Sequence, residues 1–248
     1  MITRILLASA FTSAALCLSG CFSHSEYDNR VVDAVYTATP VKIDGVLNDE
    51  IWAKAPAYTF NAYNAKCVQN GEIKFAWDDQ YVYVGAKLTD DDVVTVSDKD
   101  QSHLYKDGDL LEVFLKPLND TYYWEIYANP LSARSSFFIA GGGRVIGDEI
   151  SRPGHLMKDL KVAAKVDGTI NNWQDVDKGW TAEMAIPIKD LTRYGAELKE
   201  NSVWRFLIGR YNYSRYLENC ELSGITEFKD NNHSFHYKPS YGYIKFVK

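Results

Sequence analysis

Apolar and polar positions alternate with a period of two along much of the chain. Leu111, Val113 and Leu115 fall on one face of a run, with Glu112 and Phe114 on the other. After the turn-forming Leu118-Asn119-Asp120-Thr121, Tyr122, Trp124, Ile126 and Ala128 share a face that Tyr123, Glu125, Tyr127 and Asn129 oppose. These two runs predict a β-hairpin with one apolar side and one side that mixes rings, carboxylates and an amide. The same alternation sets Val82, Val84, Ala86 and Leu88 against Tyr81, Tyr83 and Lys87, and Trp180, Ala182, Met184 and Ile186 against Thr181 and Glu183. Trp204, Phe206 and Ile208 alternate with Arg205. Short alternating runs separated by Gly, Asp and Asn turns predict an all-β, antiparallel β-sandwich of jelly-roll or immunoglobulin-like type. Only two short stretches read as helical, residues 48–53 with Asn48 or Asp49 as cap and residues 187–194 with Pro187 at the start.

A chain of 248 residues, 46% hydrophobic, supplies one sizeable domain, and a formal charge of -6 with scattered basic residues argues against nucleic acid as a partner. Seventeen tyrosines and six tryptophans suit strands, and also suit surfaces that stack on sugar rings. At the start, Arg4, an apolar run from Ile5 to Leu18, and the small Ser19 and Gly20 form a secretory leader over residues 1–20, too short to remain as a membrane span. Leu18-Ser19-Gly20-Cys21 resembles the lipobox of bacterial lipoproteins, which implies acylation of Cys21, stable anchoring through several fatty chains and an extracytoplasmic domain on a membrane, the outer membrane by its following residue. Residues 21–35 then read as a lipidated tether and residues 36–248 as a monomeric domain. Cys67 and Cys220 remain in an oxidising compartment, as a long-range disulfide or as two buried thiols.

Several strings together resemble family 9 carbohydrate-binding modules. Val41-Lys42-Ile43-Asp44-Gly45 with the later Ile51-Trp52-Ala53 looks like the family's opening, and residues 73–84 look like its paired strands across an Asp-rich turn. Gly108-Asp109-Leu110-Leu111-Glu112-Val113-Phe114 is similar to its G-D-x-x-E-x-F segment. Gly179-Trp180 through Glu183 to Ile186-Pro187 is similar to G-W-x-x-E-x-x-I-P, and Trp204-Arg205 through Arg210 to W-R-x-x-x-x-R. Phe235-His236 and Tyr241-Gly242 stand where the closing motifs would be. The resemblance implies a glycan-binding sheet face on which rings stack against the sugar while acids, amides and basic groups take its hydroxyls. Glu112 matches best, followed by Glu125, Tyr127, Asn129 and Arg210. The sandwiching tryptophans of the family are replaced, with Tyr105 or Lys106 near the first and Phe235 or His236 near the second. The expected role is non-catalytic carbohydrate binding in support of polysaccharide capture or breakdown.

Other chemistries draw on some of the same residue types. Glu112 and Glu125 on neighbouring strands also fit the carboxylate pair of a glycoside hydrolase, though a shallow sheet face offers little to exclude water. Asp90 and Asp91, with Asp92, Asp98 and Asp100 nearby, are candidate oxygen ligands for structural Ca²⁺ but lack the regular spacing of a calcium loop. A haem-binding redox domain would draw on Met157 or Met184 with His155, His103 or His236, and Met184 lies in a core-facing register. Residues 141–144 (GGGR) lack the Lys-Ser/Thr of a phosphate loop, and no G-x-S-x-G is present.

Overall fold

A computed structural model describes residues 28–63, 69–140, 156–230 and 234–248. The leader, Cys21, Cys67, residues 141–144 and His155 lie outside them, so the expectations placed there concern residues the structure does not describe. The chain is mostly β, in the order β1 (Val31–Tyr36), α1 (Glu50–Lys54), β2 (Tyr58–Thr59), β3 (Asn61–Ala62), β4 (Gly71–Trp77), β5 (Tyr81–Leu88), β6 (Leu110–Pro117), β7 (Tyr123–Ala128), β8 (Arg134–Ile139), β9 (Lys161–Asp167), β10 (Gly179–Pro187), α2 (Ile188–Leu191), β11 (Val203–Asn212), β12 (Glu221–Gly224) and β13 (Gly242–Val247). The main strands form one nearly closed sheet in the order β8-β7-β6-β11-β13-β1-β4-β5-β10-β9, with β2 beside β4 and the short β3 and β12 paired beyond β11.

The period-two pattern sorts side chains as the sequence predicts. Leu111, Val113 and Leu115 of β6 meet Trp124 and Ile126 of β7, the alternate residues of β5 and β10, and Trp204, Phe206 and Ile208 of β11 in one large apolar cluster. The opposite faces carry two smaller clusters. One gathers Phe114, Tyr123, Tyr127, Leu207, Phe235 and Tyr241 over β6, β7 and β11. The other packs Ile51 and Trp52 of α1 against Tyr83 and Ala185.

Three expectations are corrected. The sheet is not wholly antiparallel, because β1 lies between β13 and β4 and runs parallel to both, with Val32 opposite Ile244 and Tyr36 opposite Trp77. Residues 31–35 therefore belong to the sheet and not to a tether. Their own alternation, with Val32 and Ala34 buried, is the signal that marks them. The helices are shorter than expected. Asp49 stands at the N-cap of α1 in an extended conformation, but its side chain caps no helical N–H.

The link between distant motifs is Glu183, a fully buried carboxylate on the face of β10 turned from the main core. Its Oε1 accepts from the Trp52 indole at 2.8 Å, and its Oε2 accepts from the backbone N–H groups of Asp44 and Gly45 at 3.0 and 2.9 Å. Gly45 holds φ +79°, and a Cβ there would come within 2.9 Å of the Ala164 backbone, so this turn needs glycine. Glu183 thus fastens the opening turn and α1 onto β10. Glu183→Ala leaves three donors without their acceptor and is expected to cost about 2–3 kcal/mol in urea unfolding. Trp52→Phe, which removes one donor, is expected to cost less.

Candidate functional site

The site grows from the register of three neighbouring strands. Glu112 of β6 lies opposite Tyr127 of β7 on one side and Gly209 of β11 on the other. One row along, Phe114 lies between Glu125 and Leu207. Side chains of Glu112, Glu125 and Tyr127 thus share the face turned from the main core, as the alternation predicts, and the two carboxyls are diagonal neighbours across the hairpin.

The face differs from expectation in its cover. The sequence suggests an open platform, whereas Glu112 is 2% exposed, Glu125 6% and Tyr127 1%. The residue following the mainly polar stretch 227–234 supplies the cover. Phe235 lies directly on Gly209, where a Cβ would meet its ring at 2.5 Å. From there it makes edge contacts with Tyr211, Phe114 and Tyr63 at 5.3, 6.3 and 6.0 Å. Tyr241 and Tyr123 pack beside Phe114. At the rim stand half-buried Tyr105, whose ring is 5.7 Å from that of half-buried Tyr211, and exposed His236, whose Nδ1 is 2.9 Å from the Tyr123 hydroxyl.

The electrostatics of this enclosure are unbalanced. Among the described residues, the Tyr127 hydroxyl donates to Glu125 and also serves Glu112, and neither acid meets a cation or a backbone N–H. Burial pushes the Glu125 carboxyl up to about 7. Burial, reinforced by the charge of Glu125, holds Glu112 well above the carboxylate range. Two carboxyls in one dry pocket with a single donor resist double ionisation, so near neutrality the pair keeps a proton. Among the described residues the Tyr241 hydroxyl, fully buried and within electrostatic range of both acids, has no hydrogen-bond partner. A buried acid pair and a buried hydroxyl left this way are costly unless something else supplies their hydrogen bonds.

Two residues assigned to the site belong elsewhere. Arg210 shares the parity of Phe206 and Ile208 and so points to the main-core side of the sheet, away from the site, fully buried. Its guanidinium donates to the carbonyls of Asn70 and Thr89 at 3.1 and 2.7 Å and to Asp90 Oδ2 at 3.1 Å. Asn129 is used up by the fold. Its amide donates to Thr95 Oγ1 and the Ser97 carbonyl, and its oxygen accepts from the N–H groups of Leu131 and Ala133. The same network takes up Asp90, one of the acids offered for structural calcium. The cation that Asp90 meets is Arg210, and its other oxygen accepts the Asp92 N–H. Asp109 accepts two backbone N–H groups at 2.7 Å each. Among the described residues no three His, Cys, Asp or Glu side chains gather as a cation site.

The remaining expectations resolve by position. Met157 and Met184 sit in the main core, while His103 and His236 lie against the ring cluster on the other face, so the described residues bring no Met and His together as haem ligands. No disulfide occurs among the described residues. Tyr211, Tyr123 and Tyr241 are the site residues that sequence reasoning passed over. Tyr211 was legible, since Leu207, Gly209 and Tyr211 are the positions of β11 that alternate with its core residues. Tyr241 enters from a loop turn and has no periodic signal.

Comparison with known proteins bears on the fold that carries this site. Residues 43–137 match the family model described as carbohydrate family 9 binding domain-like, a span that includes both Glu112 and Glu125. A solved structure of a putative carbohydrate-binding protein from Bacteroides uniformis is similar over 88% of this chain and 99% of its own, with a TM-score of 0.69 and 13% identity. A family 9 carbohydrate-binding module from Caldicellulosiruptor kristjanssonii, solved with cellotriose, is similar over 88% of this chain and 94% of its own, with a TM-score of 0.59 and 19% identity. The same module solved with glucose gives a TM-score of 0.58. At these identities the likeness is one of fold. No curated protein matches the chain.

Proposed function

We propose that this chain binds carbohydrate without cleaving it, at the face of β6, β7 and β11 that carries Glu112, Glu125 and Tyr127. The observation that carries the reading is the acid pair itself, enclosed by rings and short of donors. Sugar hydroxyls are donors of the right kind, and Tyr105, Tyr211 and His236 at the rim supply surfaces for the C–H face of a pyranose. A pair kept only for structure would gain by replacement with apolar side chains, because no cation repays its desolvation. The solved complexes of the similar Caldicellulosiruptor kristjanssonii module, with cellotriose and with glucose, support the ligand class. The acids are covered in this structure, so entry of a sugar requires the rim side chains to move aside.

The wider setting of the proposal is a β-sandwich held at a membrane through acylated Cys21, where it keeps glycan close to the cell surface. Binding is of modest strength, since each polar contact with the sugar replaces one with water. A glycan microarray probed with the mature domain is expected to show a bounded set of saccharide ligands. A reducing-sugar assay on the same glycans is expected to show no release. An empty array overturns the reading, and released sugar overturns its non-catalytic part.

A further inference from the structure

The loop between β9 and β10 presents Trp173 with 72% of its surface exposed, and Tyr216, beyond the end of β11, is 59% exposed. Exposed rings mark a contact surface where they are held together, and here the backbone beneath them is firmly tied. Asn171, in the left-handed region at φ +59°, donates its N–H to the Val93 carbonyl at 2.9 Å and its amide to the Thr95 carbonyl at 2.6 Å. The Asp177 carboxylate accepts from the N–H groups of Val93 and Thr169, both at 2.7 Å. Arg215 ties Tyr216 to the backbone beside Trp173. Its guanidinium donates to the carbonyls of Asn172 and Asp175, which flank Trp173, and to the Tyr216 hydroxyl at 2.6 Å while lying 4.4 Å over the Tyr216 ring. Asp92, at 2.8 Å, holds the guanidinium from below.

This platform continues from the site already described. Two residues after Tyr211 at the rim stands Tyr213, whose hydroxyl donates to the Tyr105 carbonyl at 2.7 Å, and Ser214 then leads to Arg215 and Tyr216. We propose that Trp173 and Tyr216 form a distal subsite for a polysaccharide chain whose other units occupy the face at Glu112. The two rings stack on the C–H faces of sugar units, and Arg215 keeps them in position. The inference rests on the carbohydrate reading and adds to it the class of ligand, an extended glycan in place of a mono- or disaccharide alone.

Affinity gel electrophoresis of the mature domain through a panel of soluble plant and bacterial polysaccharides tests this, with calorimetry on oligosaccharides of the retarding type. Parent protein is compared with the Trp173→Ala/Tyr216→Ala double variant, whose exposed rings the fold does not need. The expected result is that the double variant loses roughly three- to tenfold in affinity for the polymer and keeps the parent's affinity for its mono- and disaccharides. Equal retardation of both proteins overturns the distal subsite and leaves the carbohydrate reading standing, with the patch free for a protein partner. An equal loss on short and long ligands also overturns it. A parent that no polysaccharide retards and no sugar binds overturns both.

Discussion

Arg210→Met is expected to lower the free energy of unfolding by about 3–5 kcal/mol, among the largest effects of any single substitution here. The guanidinium is fully buried and so is Asp90, its partner at 3.1 Å. It also receives the ends of β11, β4 and β5, through the carbonyls of Asn70 and Thr89. Methionine fills much of the space but leaves the Asp90 carboxylate without its cation and two carbonyls without a donor. Burial already pushes Asp90 above the usual carboxylate range against the pull of Arg210, so the variant is expected to bury a protonated Asp90. Urea unfolding followed by circular dichroism measures the loss. Asp90→Asn in the Arg210→Met background is expected to recover part of it, because the two changes act on one pair. Full stability in Arg210→Met would mean that the guanidinium is free to serve a ligand.

The acid pair is expected to behave in the opposite way. Glu112→Gln/Glu125→Gln should fold at least as stably as the parent at pH 7 while losing ligand. Its sign follows from the raised folded-state values. An acid whose carboxyl is pushed up on folding holds its proton more tightly in the folded chain than in the unfolded one. Its contribution is therefore fully present below the ordinary Glu value of 4.5, and is lost as pH rises through the folded value of about 7 at Glu125. For Glu125 alone that shift corresponds to about 3 kcal/mol across the window, since each unit is worth about 1.4 kcal/mol. Parent stability measured from pH 4 to pH 8 is expected to fall across this range more steeply than that of the double variant. The difference between the two curves isolates the pair from Asp90 and Asp109, whose raised values tilt both curves alike. Parallel curves would show that the pair is not short of donors.

Most of the fold was legible because a strand's period leaves little freedom. Once Leu111, Val113 and Leu115 face inward, Glu112 and Phe114 cannot, and the same logic holds for β5, β7, β10 and β11. The same rule would have removed Arg210 from the site, since it shares the parity of Trp204, Phe206 and Ile208. The resemblance of Trp204-Arg205 through Arg210 to a W-R-x-x-x-x-R strand points it to a ligand, and a fully buried arginine inside a β core is an uncommon solution. Asn129 failed for a different reason. Its register was right, but it ends the strand, and an amide there is taken by the turn that follows it. The cover over the acids was not legible at all, because Phe235 and Tyr241 come from a non-periodic segment and reach the site only through tertiary packing. The parallel placement of β1 was hidden by the polar residues 23–30 that precede it. Without its chain neighbours in sequence, a strand of six residues gives no indication of which partners it will meet.

The central claim is that a ring-covered acid pair is held short of hydrogen bonds so that a sugar can supply them. Calorimetric titration of the best array ligand into the parent and into Glu112→Gln/Glu125→Gln at pH 7 tests it most directly. The account predicts that the parent binds and that the double variant, folded and at least as stable, binds about ten- to a hundredfold more weakly. Equal affinity in the two proteins would contradict it.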